Sequence, residues 1–224
     1  MKTTSLKDLA NAETWVFDLD NTLYPAKTDL FSQVDVRIRD YVADFLSMEK
    51  DAAYKLQKEY FRDYGTTMRG LMTNHGLDPK PFLNYVHNID VTPVSPSPNL
   101  GKALAKLPGR KIIYTNASTA HADRVMKRLG VDKHFSGVFD IADADYAPKP
   151  EPGPYNEMIE RFDIDPKKAV MVEDIAKNLE PAAAMGMATV WVRTDTRWGN
   201  EDSDAPYVHH TIDDLAEWLS TLVG

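Results

Sequence analysis

Thr14-Trp-Val-Phe-Asp-Leu-Asp-Asn-Thr-Leu23 is the stretch on which the reading of this chain turns. A short apolar run over 14–17 ends in two aspartates, two positions apart. Side chains alternate on an extended backbone, so Asp18 and Asp20 point the same way. The pair then stands at the C-terminal end of a buried strand, where an open α/β sheet places its active site. Two carboxylates this close repel unless a cation lies between them or they share a proton. Mg²⁺ binding, or a division into acid and nucleophile, is the expected use.

Beyond Pro25 the spacing changes. Phe31, Val34, Ile38, Tyr41, Val42 and Phe45 recur with helical period. Further helices are expected over 51–64, 66–75 and 79–88, punctuated by Gly65, Gly76 and Pro79. Residues 27–92 therefore read as an all-α insert after the first strand. Val91-Thr-Pro-Val-Ser-Pro-Ser-Pro98 follows, and its prolines favour an extended connector, either a surface loop or a stiff hinge. From there strands expected at 111–114, 138–141, 169–172 and 188–192 alternate with helices at 100–107, 120–129, 155–162, 176–185 and 213–222. Such alternation predicts an α/β fold with a doubly wound parallel sheet covered on both faces. Residues 1–26 and 93–224 would form this core.

The composition, 43% hydrophobic and 27% charged, supports a packed core rather than disorder. A net charge of -8 argues against a nucleic-acid polymer or an anionic membrane as partner. An anionic small substrate would need positive charge supplied locally. The chain has no cysteine, which excludes disulfides, zinc-thiolate sites and a cysteine nucleophile. Without an apolar leader or a membrane-length apolar run, a soluble cytoplasmic protein, monomer or homodimer, is the expectation.

Each core strand ends in polar residues: Asp18 and Asp20, then Thr115 and Asn116, then Glu173 and Asp174. In a parallel sheet these ends share one edge. Lys149 stands between prolines that stiffen its loop. Asp18, Asp20 and Asp174 offer oxygens to a hard cation, and Mg²⁺ suits carboxylates plus a substrate phosphate. A carboxylate can also attack phosphorus and form an aspartyl-phosphate. The obstacle is charge: a phosphate dianion beside a carboxylate costs on the order of 8 kcal/mol at 4 Å and an effective dielectric of 20. Lys149 and Mg²⁺ are the groups that would offset it.

Asp18-x-Asp20-Asn21-Thr22, Thr115, Lys149 and Glu173-Asp174 resemble the four ordered motifs of the haloacid dehalogenase superfamily. The resemblance spans about residues 14–220. It implies a Rossmannoid core and makes the insert over 27–92 a helical cap. It further implies Asp18 as nucleophile and Mg²⁺ ligand, and Asp20 as general acid/base that binds the metal through its carbonyl. Thr115, Asn116 and Lys149 would hold the phosphoryl group, and Asp174 would complete the metal site. Asn178 occupies a position that is often acidic in the family, and as a neutral residue it would orient a ligand or water. Glu173 would be a supporting acceptor, or simply the residue that leaves the strand. The dehalogenases of the superfamily lack the second aspartate, so Asp20 favours phosphoryl transfer.

A narrower resemblance joins Asp18-Leu-Asp-Asn-Thr-Leu-Tyr-Pro25, Tyr64-Gly-Thr-Thr-Met-Arg-Gly-Leu71 and Val172-Glu-Asp-Ile-Ala-Lys-Asn-Leu179. These are similar to the pyrimidine 5'-nucleotidase branch. It implies a phosphatase for a small phosphorylated metabolite, a pyrimidine nucleoside 5'-monophosphate. The alternatives are a phosphatase for a sugar phosphate or phosphoglycolate, a phosphomutase, or a non-catalytic metabolite-binding protein of the same fold. Tyr24, Arg69 and His75 are the residues that could meet the substrate, Tyr24 by stacking on a base and Arg69 by pairing with a carbonyl or phosphate. Each also has an ordinary packing or surface role open to it. His209-His210 lacks neighbouring ligands for a metal, and Trp191 and Trp198 read as packing or surface residues.

Overall fold

The computed structural model describes residue 9 and residues 11–223. Residues 1–8, 10 and 224, assigned above to the core, lie outside the described residues. Six strands form one parallel sheet in the order β3-β2-β1-β4-β5-β6. They are β1 Thr14–Phe17, β2 Arg110–Tyr114, β3 Gly137–Phe139, β4 Ala169–Glu173, β5 Ala188–Val192 and β6 His210–Ile212. The chain builds outward to one side of β1 with β2 and β3, then to the other with β4, β5 and β6. The order reverses beside β1, and the crevice at that switch lies off the C-terminal strand ends.

Successive residues of one strand enter different cores, as the two-residue strand period requires. Trp15, Phe17, Ile113, Val170, Val172 and Val190 join one buried cluster, and Val16, Ile112, Tyr114, Met171 and Trp191 the other. Both faces are covered, so the strands carry no polar alternation. The helices packed on them are α5 Pro98–Lys106, α6 Thr119–Leu129, α7 Pro152–Arg161, α8 Glu180–Ala184, α9 Arg197–Asn200 and α10 Leu215–Val223. No helix among the described residues is long and apolar enough to cross a membrane.

Between β1 and α5 lies the insert, with α1 Leu30–Leu46, α2 Lys50–Tyr64, α3 Thr67–His75 and α4 Pro79–Val86. Local chemistry sets its boundaries. The Thr66 hydroxyl caps α3 by accepting from the Arg69 amide, and Gly76 ends it at φ 65°. Asp78 caps α4, with Pro79 at its first position. The insert has its own core of Val42, Ala53, Tyr60, Leu71, Phe82 and Val86, and Ile141 from the loop after β3 completes it.

Three expectations need correction. The strand expected at 138–141 stops at Phe139, because the Asp140 carboxylate accepts from the amides of Ala142, Asp143 and Thr119 and turns the chain. The helix expected over 176–185 begins as a 3-10 turn, Ala176–Leu179, and becomes α-helical only at Glu180. β6 was not anticipated: three residues are too few for a period to show.

Gly70 of α3 packs tightly against Tyr60 of α2. A Cβ there would lie 2.4 Å from Cγ of Tyr60. Gly70→Ala should therefore destabilise the fold by about 1–3 kcal/mol through overpacking, despite the better helix propensity of alanine. Urea unfolding should show a lower midpoint with an unchanged slope.

Candidate active site

Register assembles the site. Phe17 pairs with Ile113 on one side and with Val172 on the other. The next residues along, Asp18, Tyr114 and Glu173, therefore lie level at the sheet edge. Lys149 reaches them from the loop between β3 and α7. Its ammonium donates to Asp18 Oδ1 at 2.7 Å, to Glu173 Oε2 at 2.7 Å and to the Tyr114 carbonyl at 3.0 Å. All three of its protons are thereby used. Asn116 Oδ1 accepts from the Lys149 amide at 2.9 Å and holds the loop in place.

Glu173 has both oxygens committed. Oε2 faces Lys149, and Oε1 accepts from Asn178 Nδ2 at 2.9 Å and from the Ile175 amide. Asn178 thus orients Glu173, which corrects the expectation that it would orient a ligand or water. The Thr115 hydroxyl accepts from the Ala117 amide, leaving its own proton to donate. Trp191 Nε1 donates to the Asp174 carbonyl at 2.7 Å and steadies the chain there. Trp198 is exposed.

Donor atoms of Asp18, Glu173 and Asp174 lie within 4.8 Å of one another, all buried. Three carboxylates against one ammonium leave a formal charge of about -2 in a pocket that solvates poorly. Asp174 Oδ2 is buried with no hydrogen-bond partner among the described residues. An orphaned buried carboxylate oxygen beside a second carboxylate fits a hard divalent cation, and the all-oxygen donor set suits Mg²⁺. Glu173 being committed, Asp18 and Asp174 are the carboxylates left to hold it. Burial and then Glu173 push the Asp18 carboxyl up to about 7, against the pull of Lys149. Burial, Glu173 and Asp18 likewise push Asp174 well above the usual carboxylate range.

Asp20 has different surroundings. Its Oδ1 accepts from Tyr24 Oη at 2.6 Å and from His121 Nε2 at 2.9 Å. Burial raises its carboxyl, but His121 and Tyr24 outweigh burial and hold it at about 2. Tyr24 is buried with its hydroxyl on Asp20, which corrects its assignment as a base-stacking residue. His75 is exposed, with its Nε2 bonded to Tyr60 Oη at 2.8 Å. Arg69 is half-buried, and its guanidinium makes no hydrogen bond or ion pair among the described residues. The insert meets the lysine loop at Gly65, where a Cβ would lie 3.2 Å from Cγ of Pro148.

His121 went unread in the sequence. The signal was present: Ser118 caps α6, and His121 is the third residue of a helix whose N-terminus faces the active edge.

A buried carboxylate triad around one lysine, at the switch point of a parallel sheet, makes an α/β site whose oxygens fit a divalent cation. The haloacid dehalogenase-like hydrolase model matches residues 13–186, and the chain belongs to that family. It is 26% identical over 192 residues to phosphate metabolism protein 8 of Saccharomyces cerevisiae, covering 78% of this chain. The chain spans 59% of the length of that relative. It is 25% identical over 222 residues to glyceraldehyde 3-phosphate phosphatase of Pyrococcus furiosus, covering 92% of this chain and 91% of that protein. The HAD phosphatase from Thermococcus onnurineus shares the fold, with TM-score 0.62, 21% identity and coverage of 95% of this chain and 98% of that one. So does the magnesium-bound HAD-hydrolase YfnB of Bacillus subtilis, with TM-score 0.58, 15% identity and coverage of 95% and 99%.

Lys149→Met would leave the carboxylates unpaired in a buried site and should cost about 3–5 kcal/mol, read from denaturant unfolding. The acid shift gives a second expectation. Asp18 holds its proton to about pH 7 when folded, against about 3.8 when unfolded. The folded state thus binds more protons in that window, and the site contributes less stability as pH rises through it. In EDTA, the wild type should lose thermal stability relative to Asp18→Asn as pH rises from about 4 to about 7, and Mg²⁺ should restore it.

Proposed function

We propose that the protein is a Mg²⁺-dependent phosphatase of small phosphate monoesters, working through an aspartyl-phosphate, with pyrimidine nucleoside 5'-monophosphates as its substrates. The observation that carries this reading is the division between two neighbouring carboxylates. Asp18 lies on Lys149 and is raised by burial and Glu173 in spite of it, whereas Asp20 lies on Tyr24 and His121, which lower it. Unequal surroundings for two carboxyls are what separate nucleophile from acid/base.

In this reading Asp18 attacks phosphorus as the bond to the leaving oxygen breaks. Asp20 starts ionised and takes its proton from the phosphate monoanion, whose arriving charge raises the carboxyl. It passes that proton to the departing oxygen, then removes one from the water that attacks the aspartyl-phosphate. Phosphate leaves and Asp18 is regenerated. Lys149 would offset the charge of the phosphoryl group from behind Asp18, and the Thr115 hydroxyl and the Asn116 amide would donate to its oxygens. Magnesium held by Asp18 and Asp174, with the Asp20 carbonyl, would supply charge neutralisation on the phosphoryl group.

The helices over 27–92 serve as the cap that selects the leaving group, with the contact of Gly65 on Pro148 closing it over the lysine loop. Arg69, with its guanidinium uncommitted, is the candidate to meet the base. The nucleotide class rests on the sequence likeness to the pyrimidine 5'-nucleotidase branch. A second reading, a small sugar phosphate, draws support from the two Pyrococcus relatives named glyceraldehyde 3-phosphate phosphatase. A cytoplasmic setting suits a cysteine-free chain.

Phosphate release from a set of metabolites tests both readings. UMP and CMP should be turned over in Mg²⁺, and EDTA or Asp18→Asn should abolish release. Full activity in Asp18→Asn would sink the mechanism. A preference for triose phosphates would replace the nucleotide class.

A further inference from the structure

Both hydrogen bonds to Asp20 fall on the same oxygen. Tyr24 Oη and His121 Nε2 donate to Oδ1. Oδ2 accepts none among the described residues. The terminal torsion of a carboxylate is broad and two-fold, so the group turns freely unless something distinguishes its oxygens. Two donors on one oxygen make that distinction and leave the other uncommitted among the described residues.

His121 stands behind the carboxylate. Its side chain is 2% exposed, against 27% for Asp20. Its Nδ1 is buried without a partner, so the hydrogen bond to Asp20 is the ring's one polar anchor among the described residues. A buried imidazole with half its polar capacity unmet is a poor packing residue, since an apolar side chain would fill the space without that penalty. The ring is also braced. It stacks on His87 with centroids 4.9 Å apart and planes 28° apart. His87 is fixed in turn by Ser118 Oγ at 2.9 Å and by Arg124, which donates to its carbonyl.

We infer that His121 is a positioning residue that aims Asp20 Oδ2 at the leaving-group oxygen. The chemistry rests on the phosphatase reading; the aiming does not. Misplacing a proton-transfer group by about 1 Å costs on the order of a hundredfold. The loss should be greatest where the leaving group most needs a proton.

The test compares His121→Leu, which fills the space without a donor, with His121→Gln, which restores one. Steady-state constants are measured on an alkyl phosphate monoester and on p-nitrophenyl phosphate, whose leaving group needs no proton. His121→Leu should lower kcat on the alkyl ester by on the order of tenfold to a hundredfold. The loss on the aryl ester should be smaller, KM should stay within about twofold, and His121→Gln should recover most of the activity. Equal losses on both esters, a change confined to KM, or full activity in His121→Leu would overturn the inference. Crystal structures of the two variants give a reading that needs no turnover. Asp20 should swing from its wild-type rotamer in His121→Leu and keep it in His121→Gln, and an unmoved Asp20 in the first would overturn the aiming role. A wild type that hydrolyses no ester would count against the phosphatase reading alone, with His121 still judged by that rotamer.

Discussion

One buried ammonium organises this site. Lys149 makes three bonds, to Asp18, Glu173 and the Tyr114 carbonyl, and each partner stands at or just past the end of a different strand. The lysine therefore couples three adjacent strands, β2, β1 and β4, at their C-terminal edge. Its place depends on every feature that brings these ends level: the parallel register, the reversal of strand order beside β1, and the Asn116 bond that pins its loop. Buried charge of one sign is tolerated only when paired. Here the pairing is incomplete, and the remainder is what a cation would neutralise.

Around that centre the two aspartates of β1 are held by different parts of the molecule. Asp18 belongs to the sheet. Asp20 belongs to the turn after it and to the start of α6, through Tyr24 and His121. The stack of His121 on His87 carries the second connection further, to the residue that ends α4. Asp20 is thus braced against the exit of the helical insert, and Asp18 is not. Two residues two apart in the chain answer to separate structural constraints.

Much of the core was legible because the signals were local and repeated. Uninterrupted apolar runs marked strands buried on both faces, and polar residues at their ends marked the active edge. The boundaries of α3 and α4 followed from Thr66, Gly76, Asp78 and Pro79. What escaped was what depends on partners distant in sequence. The bond from His121 to Asp20 spans 101 positions, and nothing near the histidine announces it. Tyr24 reads as a packing residue or one that could stack on a base until the fold turns its hydroxyl onto Asp20. Asn178 reads as a free polar group until Glu173 is seen to need a second donor. The end of β3 was misplaced for a related reason: Asp140 spends its carboxylate on Thr119, on another element, and the strand stops to allow it.

Ile141, in the loop after β3, is buried in the core of the insert, while Leu30 and Val34 of α1 are buried among the sheet residues, so the two bodies share packing in both directions. The insert cannot swing away as a free lid without exposing these side chains. Uncovering a buried isoleucine costs about 1.5–3 kcal/mol. An open form that loses this contact would be populated at roughly a few percent or less unless another contact replaces it. The closed arrangement is then held by Ile141 on one side and by Leu30 and Val34 on the other. A ligand would then enter through small tilts across this shared packing rather than by wide opening.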